Sequence, residues 1–257
     1  MPLTIRHFLK RVATILVDLY ALMQRFSFPT KYSWKWKLEM LLQRYEPETT
    51  RLVRDLLKPG MTFIDIGAHI GYFTRLAAQR VGEEGHVYAF EPDAKNRALL
   101  VENTKRFGNV MVRDEAVTDH DGVVAFYRVR ESTGCHSTIA QNDAERSEVP
   151  AMKLDTFAAQ NKTQKIDIIK MDVEGGEWNA LSGMMNTLRS VRHLVIEYNP
   201  DALLRANADS EKLLRTLREK GFSISLLCRG AELPLSDSLD IHSYLTDGSV
   251  NLHCYKV

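Results

Sequence analysis

The chain has few cysteines, no phosphate-loop motif, no complete dinucleotide fingerprint and no apolar run long enough to cross a bilayer. Its cysteines, Cys135, Cys228 and Cys254, are odd in number and far apart. That spacing excludes a disulfide framework or a cysteine metal site and predicts a reducing compartment, the cytoplasm. The Gly-rich turn with Lys-Ser or Lys-Thr that cradles nucleotide phosphates is missing. Charge of one sign is also missing: the formal net charge is +1, so no global field attracts nucleic acid or an acidic partner. No repeat or long low-complexity segment interrupts the chain.

What is present is apolar material for a sizeable core, 44% of 257 residues, enough for one large domain with an appendage. The appendage is residues 1–46. From Leu3 to Phe28, Ile5, Phe8, Leu9, Val12, Ile15, Leu16, Leu19, Leu22 and Met23 recur at helical spacing. Charges recur too often for a spanning helix, and Asp18 falls in its most apolar part. No small-residue cleavage site follows, so a signal peptide is not expected. Arg6, Lys10, Arg11 and Arg25, with Trp34 and Trp36 among later lysines, suit a helix lying at the inner membrane surface. The same pattern suits a helix packed on the main domain as a substrate lid, or one buried in a homodimer.

Residues 47–257 form the main domain. Met61 to Ile66 reads as a strand buried on both faces, the signature of a parallel sheet. Helix Tyr72–Val81, strand His86–Glu91, helix Asp93–Phe107 with Asp93 as its cap, and strand Val110–Arg113 follow. Val123–Val129 suggests an added strand or hairpin, and Glu131–Glu148 a polar loop. Then come an extended Val149–Leu154, a helix from Asp155, strand Ile166–Asp172, helix Glu177–Leu188, strand His193–Glu197 and helix Asp209–Lys220. The last strands are Phe222–Cys228 and Val250–Val257, with no helical pattern between them. Parallel partners need a crossover, so the final strand is expected to be antiparallel. The fold class is α/β, three-layered and doubly wound.

Asp65 interrupts the first strand near its carboxyl end, where ligands bind in such sheets. The turn Gly67-Ala68-His69-Ile70-Gly71 lacks the middle glycine of a pyrophosphate site, and a carboxylate beside a pyrophosphate is wrong in sign, which disfavours an NAD-dependent oxidoreductase. Gly67 and Gly71 allow close approach. Asp65 instead suits a cation with an amino group and a sulfonium, which describes S-adenosylmethionine. Glu91 ends the second strand, where a carboxylate can accept both hydroxyls of a ribose.

Three blocks, Asp65 to Thr74, Val87 to Pro92 and Ile168 to Glu177, with Leu154-Asp155 and Ile196-Glu197-Tyr198 around the third, resemble the FkbM-type S-adenosylmethionine-dependent methyltransferases. The Lys170-x-Asp172-x-Glu174-Gly175-x-Glu177 pattern singles out that family among class I methyltransferases. The resemblance spans roughly Leu57 to Pro200. It implies a seven-stranded Rossmann-like sheet and O-methylation of a sugar, glycolipid or polyketide-type hydroxyl. It also implies cofactor contacts from Ala68, His69, Tyr72, Pro92, Glu115, Ala116 and Asp172, besides Asp65, Gly67, Gly71 and Glu91. His69 stands where the family usually has Asn, and Gly176 where Ala is more usual.

Methyl transfer is an in-line displacement that rests on alignment and electrostatics, and a hydroxyl acceptor must also lose a proton. Glu174 is the first candidate base and Glu177 the next. Asp172 is expected to orient the cofactor's methionine end, and His136 is a rival base that titrates near neutrality. Asp172, Glu174, Glu177 and Glu197 could instead supply oxygen ligands to Mg²⁺ or Ca²⁺, but no ligand spacing enforces a metal and none is expected. The leading function is O-methylation of a sugar, glycan or glycolipid hydroxyl. The alternative is a non-catalytic adenosyl-binding or membrane-associated scaffold.

Overall fold

The computed structural model describes residues 3–129, 134, 136–140, 144–163, 165–236 and 238–256, with side chains of the first helix from His7 onward. Cys135, residues 130–133 and 141–143 of the expected polar loop, and the side chains of Ile5 and Arg6 lie outside the described residues. The chain opens with helices α1 (Leu3–Gln24), α2 (Trp34–Leu41) and α3 (Pro47–Leu56). It then alternates through β1 (Thr62–Ile66), α4 (Tyr72–Val81), β2 (His86–Phe90), α5 (Ala94–Thr104) and β3 (Val110–Arg113). An excursion, β4 (Ala116–Val117), β5 (Gly122–Arg128) and β6 (Glu145–Met152), precedes α6 (Leu154–Gln160), β7 (Ile168–Met171), α7 (Glu177–Ser182) and β8 (His193–Tyr198). Helices α8 (Pro200–Arg205) and α9 (Ser210–Glu219) lead to β9 (Ser223–Cys228), β10 (Ala231–Pro234) and β11 (Val250–Tyr255).

The main sheet has the order β3-β2-β1-β7-β8-β11-β9-β10. Strands β3 to β8 are parallel, and β11 runs antiparallel between β8 and β9, as the missing crossover helix predicts. Alternation along β1 sends Phe63 to one layer, with Leu57, Phe73 and Leu76, and Ile64 and Ile66 to the other, with Phe157, Leu181 and Leu213. Helices therefore cover both faces. The strand order reverses between β1 and β7, which opens a crevice at their carboxyl ends.

Four local expectations are corrected. The main sheet has eight strands rather than seven, because Arg229 and Gly230 take φ of 52° and 76° and fold β10 back on β9. Consecutive positive φ values make a tight hairpin turn, and an arginine there carries no Asn-Gly signal. The expected polar loop Glu131–Glu148 ends in strand: β6 begins at Glu145 and joins β4 and β5 in a separate sheet. Its start is largely exposed, so it shows no apolar alternation. The helix expected over Glu177–Leu188 stops at Ser182, because Gly183 lies against the Thr118 carbonyl, 1.9 Å from where a Cβ would sit. The first helix ends at Gln24, where Arg25 turns left-handed at φ 52°.

Residues after α1 are tied to the main domain. Arg75 donates to the carbonyls of Gln24 (2.5 Å) and Arg25 (2.9 Å), capping α1, and its guanidinium lies 5.3 Å from the Phe26 ring. Asn103 clamps Ser27 through its amide, accepting from Ser27 N (2.6 Å) and donating to Ser27 O (3.0 Å). Asp18, the acid within the apolar run, is paired with Lys37 at 2.7 Å. Phe26 and Met40 pack in the same core layer as Val53 and Phe63.

Arg75→Met leaves two carbonyls uncapped, which costs about 1.5–3 kcal/mol for bonds to a charged donor. Hydrogen exchange should show α1 and α2 losing protection while β1 and β7 keep theirs. Unchanged protection in α1 would show that Arg75 does not hold the segment.

Candidate active site

The site is built where β1, β2 and β7 end. The register sets Asp65 beside Ala89 on one side and Lys170 on the other. Asp65 is 1% exposed; Thr74 Oγ1 donates to its Oδ2 at 2.6 Å, and its Oδ1 is buried without a partner. Burial raises its affinity for a proton, against the pull of Lys170 and Thr74. The chain then turns through Gly67 at φ 79°, with Gly67 N and Ala68 N both donating to Phe90 O at 3.0 Å. A Cβ on Gly67 would stand 1.8 Å from the Asp172 carbonyl, so only glycine fits. His69 is left-handed at φ 51°, and Gly71, at φ 87°, begins α4 against Leu100.

Glu91 holds that loop. Its Oε2 accepts from His69 N (2.8 Å) and its Oε1 from Asp93 N (2.9 Å). Burial pushes its carboxyl up to about 8, partly offset by those two amides. Asp93 caps α5 through Lys95 N and Asn96 N and pairs with Arg128 at 2.6 Å.

At β7, Lys170 is 3% exposed and bonds Asp172 Oδ2 at 2.9 Å, over the face of Phe73 at 4.8 Å. Burial works against its charge, but Asp172, Glu46 and Asp65 outweigh burial and hold the ammonium above its ordinary range. Beyond it the chain makes a tight turn, with Glu174 left-handed at φ 53° and Gly175 at φ 100°. Burial pushes Glu174 up to about 8, with Asp172 and Glu177 adding repulsion. Glu197 is raised by the same causes.

Glu177 is the second candidate base. It is fully buried, lines neither cavity described below, and its Oε1 accepts from Val173 N (3.1 Å) and Gly175 N (3.2 Å). It shapes the turn that presents Glu174. Among the described residues, Asp172, Glu174 and Glu197 form the one group able to hold a cation, with carboxylate oxygens within 4.8 Å of one another.

Two cavities meet here. The narrow one, about 50 Å³, is lined by Gly67, His69, Glu91, Pro92, Asn96, Glu115, Ala116, Phe126, His136, Asp172 and Glu174 among others. The wide one, about 900 Å³, is lined by Asp65, Ala68, Tyr72, Phe73, Lys170 and Glu197, and by Tyr32, Trp36, Met40, Tyr45 and Glu46 from the N-terminal segment. Gly67, His69, Asn96, Gly134, Asp172 and Glu174 border both. Gly71 borders neither; it supports the turn from behind.

His136 borders the narrow cavity, where its Nδ1 accepts from Val129 N at 3.2 Å, and burial lowers its basicity. It does not appear among the described residues that line the wide cavity. Glu115 is paired with Arg113. Tyr32 Oη lies 3.2 Å from His69 Nε2, and burial lowers that imidazole to about 4, so it is neutral at pH 7.

Reading the sequence missed Asn96 and the wall formed by Tyr32, Trp36, Met40, Tyr45 and Glu46. The signal was the aromatic content of residues 32–45, which suited a membrane interface equally well. The residues present fit S-adenosylmethionine: Asp65 has an orphaned buried oxygen for an amino group, and Glu91 faces the narrow cavity.

Known proteins agree. The chain is 24% identical to the hexuronic acid methyltransferase AglP of Haloferax volcanii over 74% of each chain. It is 25% identical to the 2-O-methyltransferase NoeI of Sinorhizobium fredii, over 65% of this chain and 75% of that one. Its fold matches the crystal structure of a proposed rRNA methylase from Clostridium thermocellum, with a TM-score of 0.50 and 11% identity over 84% of this chain and 95% of the other. The methyltransferase FkbM domain matches residues 65–224, from the Asp65 strand into β9. The chain belongs to the FkbM family of S-adenosylmethionine-dependent methyltransferases.

Proposed function

We propose that the chain methylates a hydroxyl of a sugar, free or within a glycan or glycolipid, and that Glu174 is its general base. The observation that carries this reading is the junction of the two cavities. Asp172 and Glu174 face the narrow cavity and also the wide one, in which an acceptor would lie. The named activities of the two relatives, on a hexuronic acid and at a 2-O position, support a carbohydrate hydroxyl. The wall of the wide cavity supports it too. Trp36 and Tyr45 offer flat apolar faces, and Glu46 and Glu197 offer acceptors for hydroxyl donors.

S-adenosylmethionine, when bound, supplies an electrophilic methyl on a cationic sulfur. Asp65 Oδ1 would accept from its amino group and Glu91 from its ribose hydroxyls, with Pro92, Glu115 and Ala116 along the adenine. Asp172, oriented by Lys170, holds the methionine end. Glu174 accepts the acceptor's proton, and a raised carboxyl affinity suits a base working near neutrality. Tyr32, bonded to neutral His69, joins the N-terminal wall to the cofactor loop. The free, buried Cys228 and Cys254 favour a reducing compartment, and we place the enzyme in the cytoplasm.

Two outcomes follow. Glu91, Glu174 and Glu177 keep protons in the folded chain, at about 8, 8 and 7, that an unfolded chain has released. The folded state therefore binds more protons, and stability falls as pH rises from 7 to 8.5, at up to about 1.4 kcal/mol per pH unit per group. His69, His136 and His193, lowered by burial, oppose this only at lower pH. Melting of the cofactor-free protein should drop over that window, and less steeply in Glu174→Gln; a flat or rising midpoint would contradict the raised carboxyls.

The second outcome concerns turnover. With S-adenosylmethionine and a panel of sugar acceptors, S-adenosylhomocysteine should form with kcat/KM rising toward pH 8. Glu174→Gln should lower it about 10²–10⁴-fold while cofactor binding survives. Cofactor binding without turnover on any sugar would leave a non-catalytic scaffold.

A further inference from the structure

Helix α1 is packed on one side only. Val17 and Ala21, each 6% exposed, lie on its packed side. The opposite side presents Phe8, Leu9, Leu16, Leu19, Leu22 and Met23, all between 50% and 81% exposed. At 3.6 residues per turn these six fall within one arc of roughly 140°. The helix is held in place by the Arg75 cap and the Lys37–Asp18 pair, so its outward face belongs to a docked element. No helix among the described residues is long and apolar enough to cross a membrane. A face of this width needs a covering of its own.

Charge says what covers it. Residues 1–37 hold seven Lys or Arg and one Asp, whereas the rest of the chain holds 27 basic and 32 acidic residues. The one acid, Asp18, is already paired with Lys37. Lys10, Arg11, Arg25, Lys31 and Lys35 are all exposed. An isologous contact with a second copy would bring two such cationic segments together, which like-charge repulsion opposes. An anionic lipid surface satisfies both observations, since it takes the apolar side chains below its headgroups and the cations among them.

We propose that α1 docks the protein on an anionic bilayer, lying in the interface with its Phe8–Met23 face inserted. The helix, about 33 Å long at 1.5 Å per residue, lies along the surface rather than across it.

The test uses the full chain and extruded vesicles, with no activity readout, so it stands apart from the methyltransferase reading. The protein should float with vesicles of phosphatidylcholine and phosphatidylglycerol at 7:3, a chosen ratio of roughly one-third anionic lipid. It should float far less with phosphatidylcholine alone, and 1 M salt should release it. The double variant L16E/L19E, on exposed positions, should abolish flotation with circular dichroism and melting unchanged. K10S/R11S should lower partitioning on the order of tenfold on anionic vesicles only. If L16E/L19E perturbs folding, F8S/M23S on the same face serves in its place. The proposal is overturned if the protein floats with neither vesicle, or floats with both regardless of L16E/L19E. It is also overturned if light scattering without lipid shows a dimer that L16E/L19E dissociates.

Discussion

The pairing of Lys170 with Asp172 is the interaction on which the rest of the site depends. Asp65, Asp172, Glu46 and Glu174 line the wide cavity together, and one buried ammonium stands among them at 2.9 Å from Asp172. Breaking a buried pair leaves an uncompensated charge and costs several kcal/mol. Here it would also leave the neighbouring carboxylates to repel one another. Even with Lys170 in place, Asp65, Glu174 and Glu197 hold protons more tightly than ordinary carboxyls. Burial is the first cause of each shift, and repulsion from Asp172 adds to it.

The topology makes that convergence possible. Strand order reverses between β1 and β7, so their carboxyl ends part and leave room for a ligand. Glu177 then fixes the Val173–Gly175 turn through two backbone amides and turns Glu174 into a position that a non-glycine residue rarely adopts. Two cavities share this rim. One is bounded by the loops of the family domain, the other by an N-terminal segment that the FkbM match at residues 65–224 does not include.

The parallel core and the Gly67–Gly71 turn were legible because each has a local physical signature. Buried strands read as apolar runs, Asp65 and Glu91 stand out as acids at their ends, and a missing crossover helix marks the antiparallel last strand. The burial of Glu177 was not legible, because a carboxylate that accepts backbone amides looks, in sequence, like one that faces a cavity. The β10 hairpin was hidden because Arg229 takes a conformation that its residue type does not advertise. Tyr32, Tyr45 and Glu46 were hidden for another reason: their role comes from docking across the chain, through contacts such as Asn251 with Glu46 at 2.9 Å. Periodicity cannot report such distant partners.

The most direct test of the central claim is a crystal structure of the protein with S-adenosylhomocysteine bound. The account predicts the amino group against Asp65, the ribose hydroxyls against Glu91, and the sulfur at the Asp172–Glu174 rim facing the wide cavity. A cofactor with its ribose away from Glu91, or with its sulfur turned from Glu174, would contradict it.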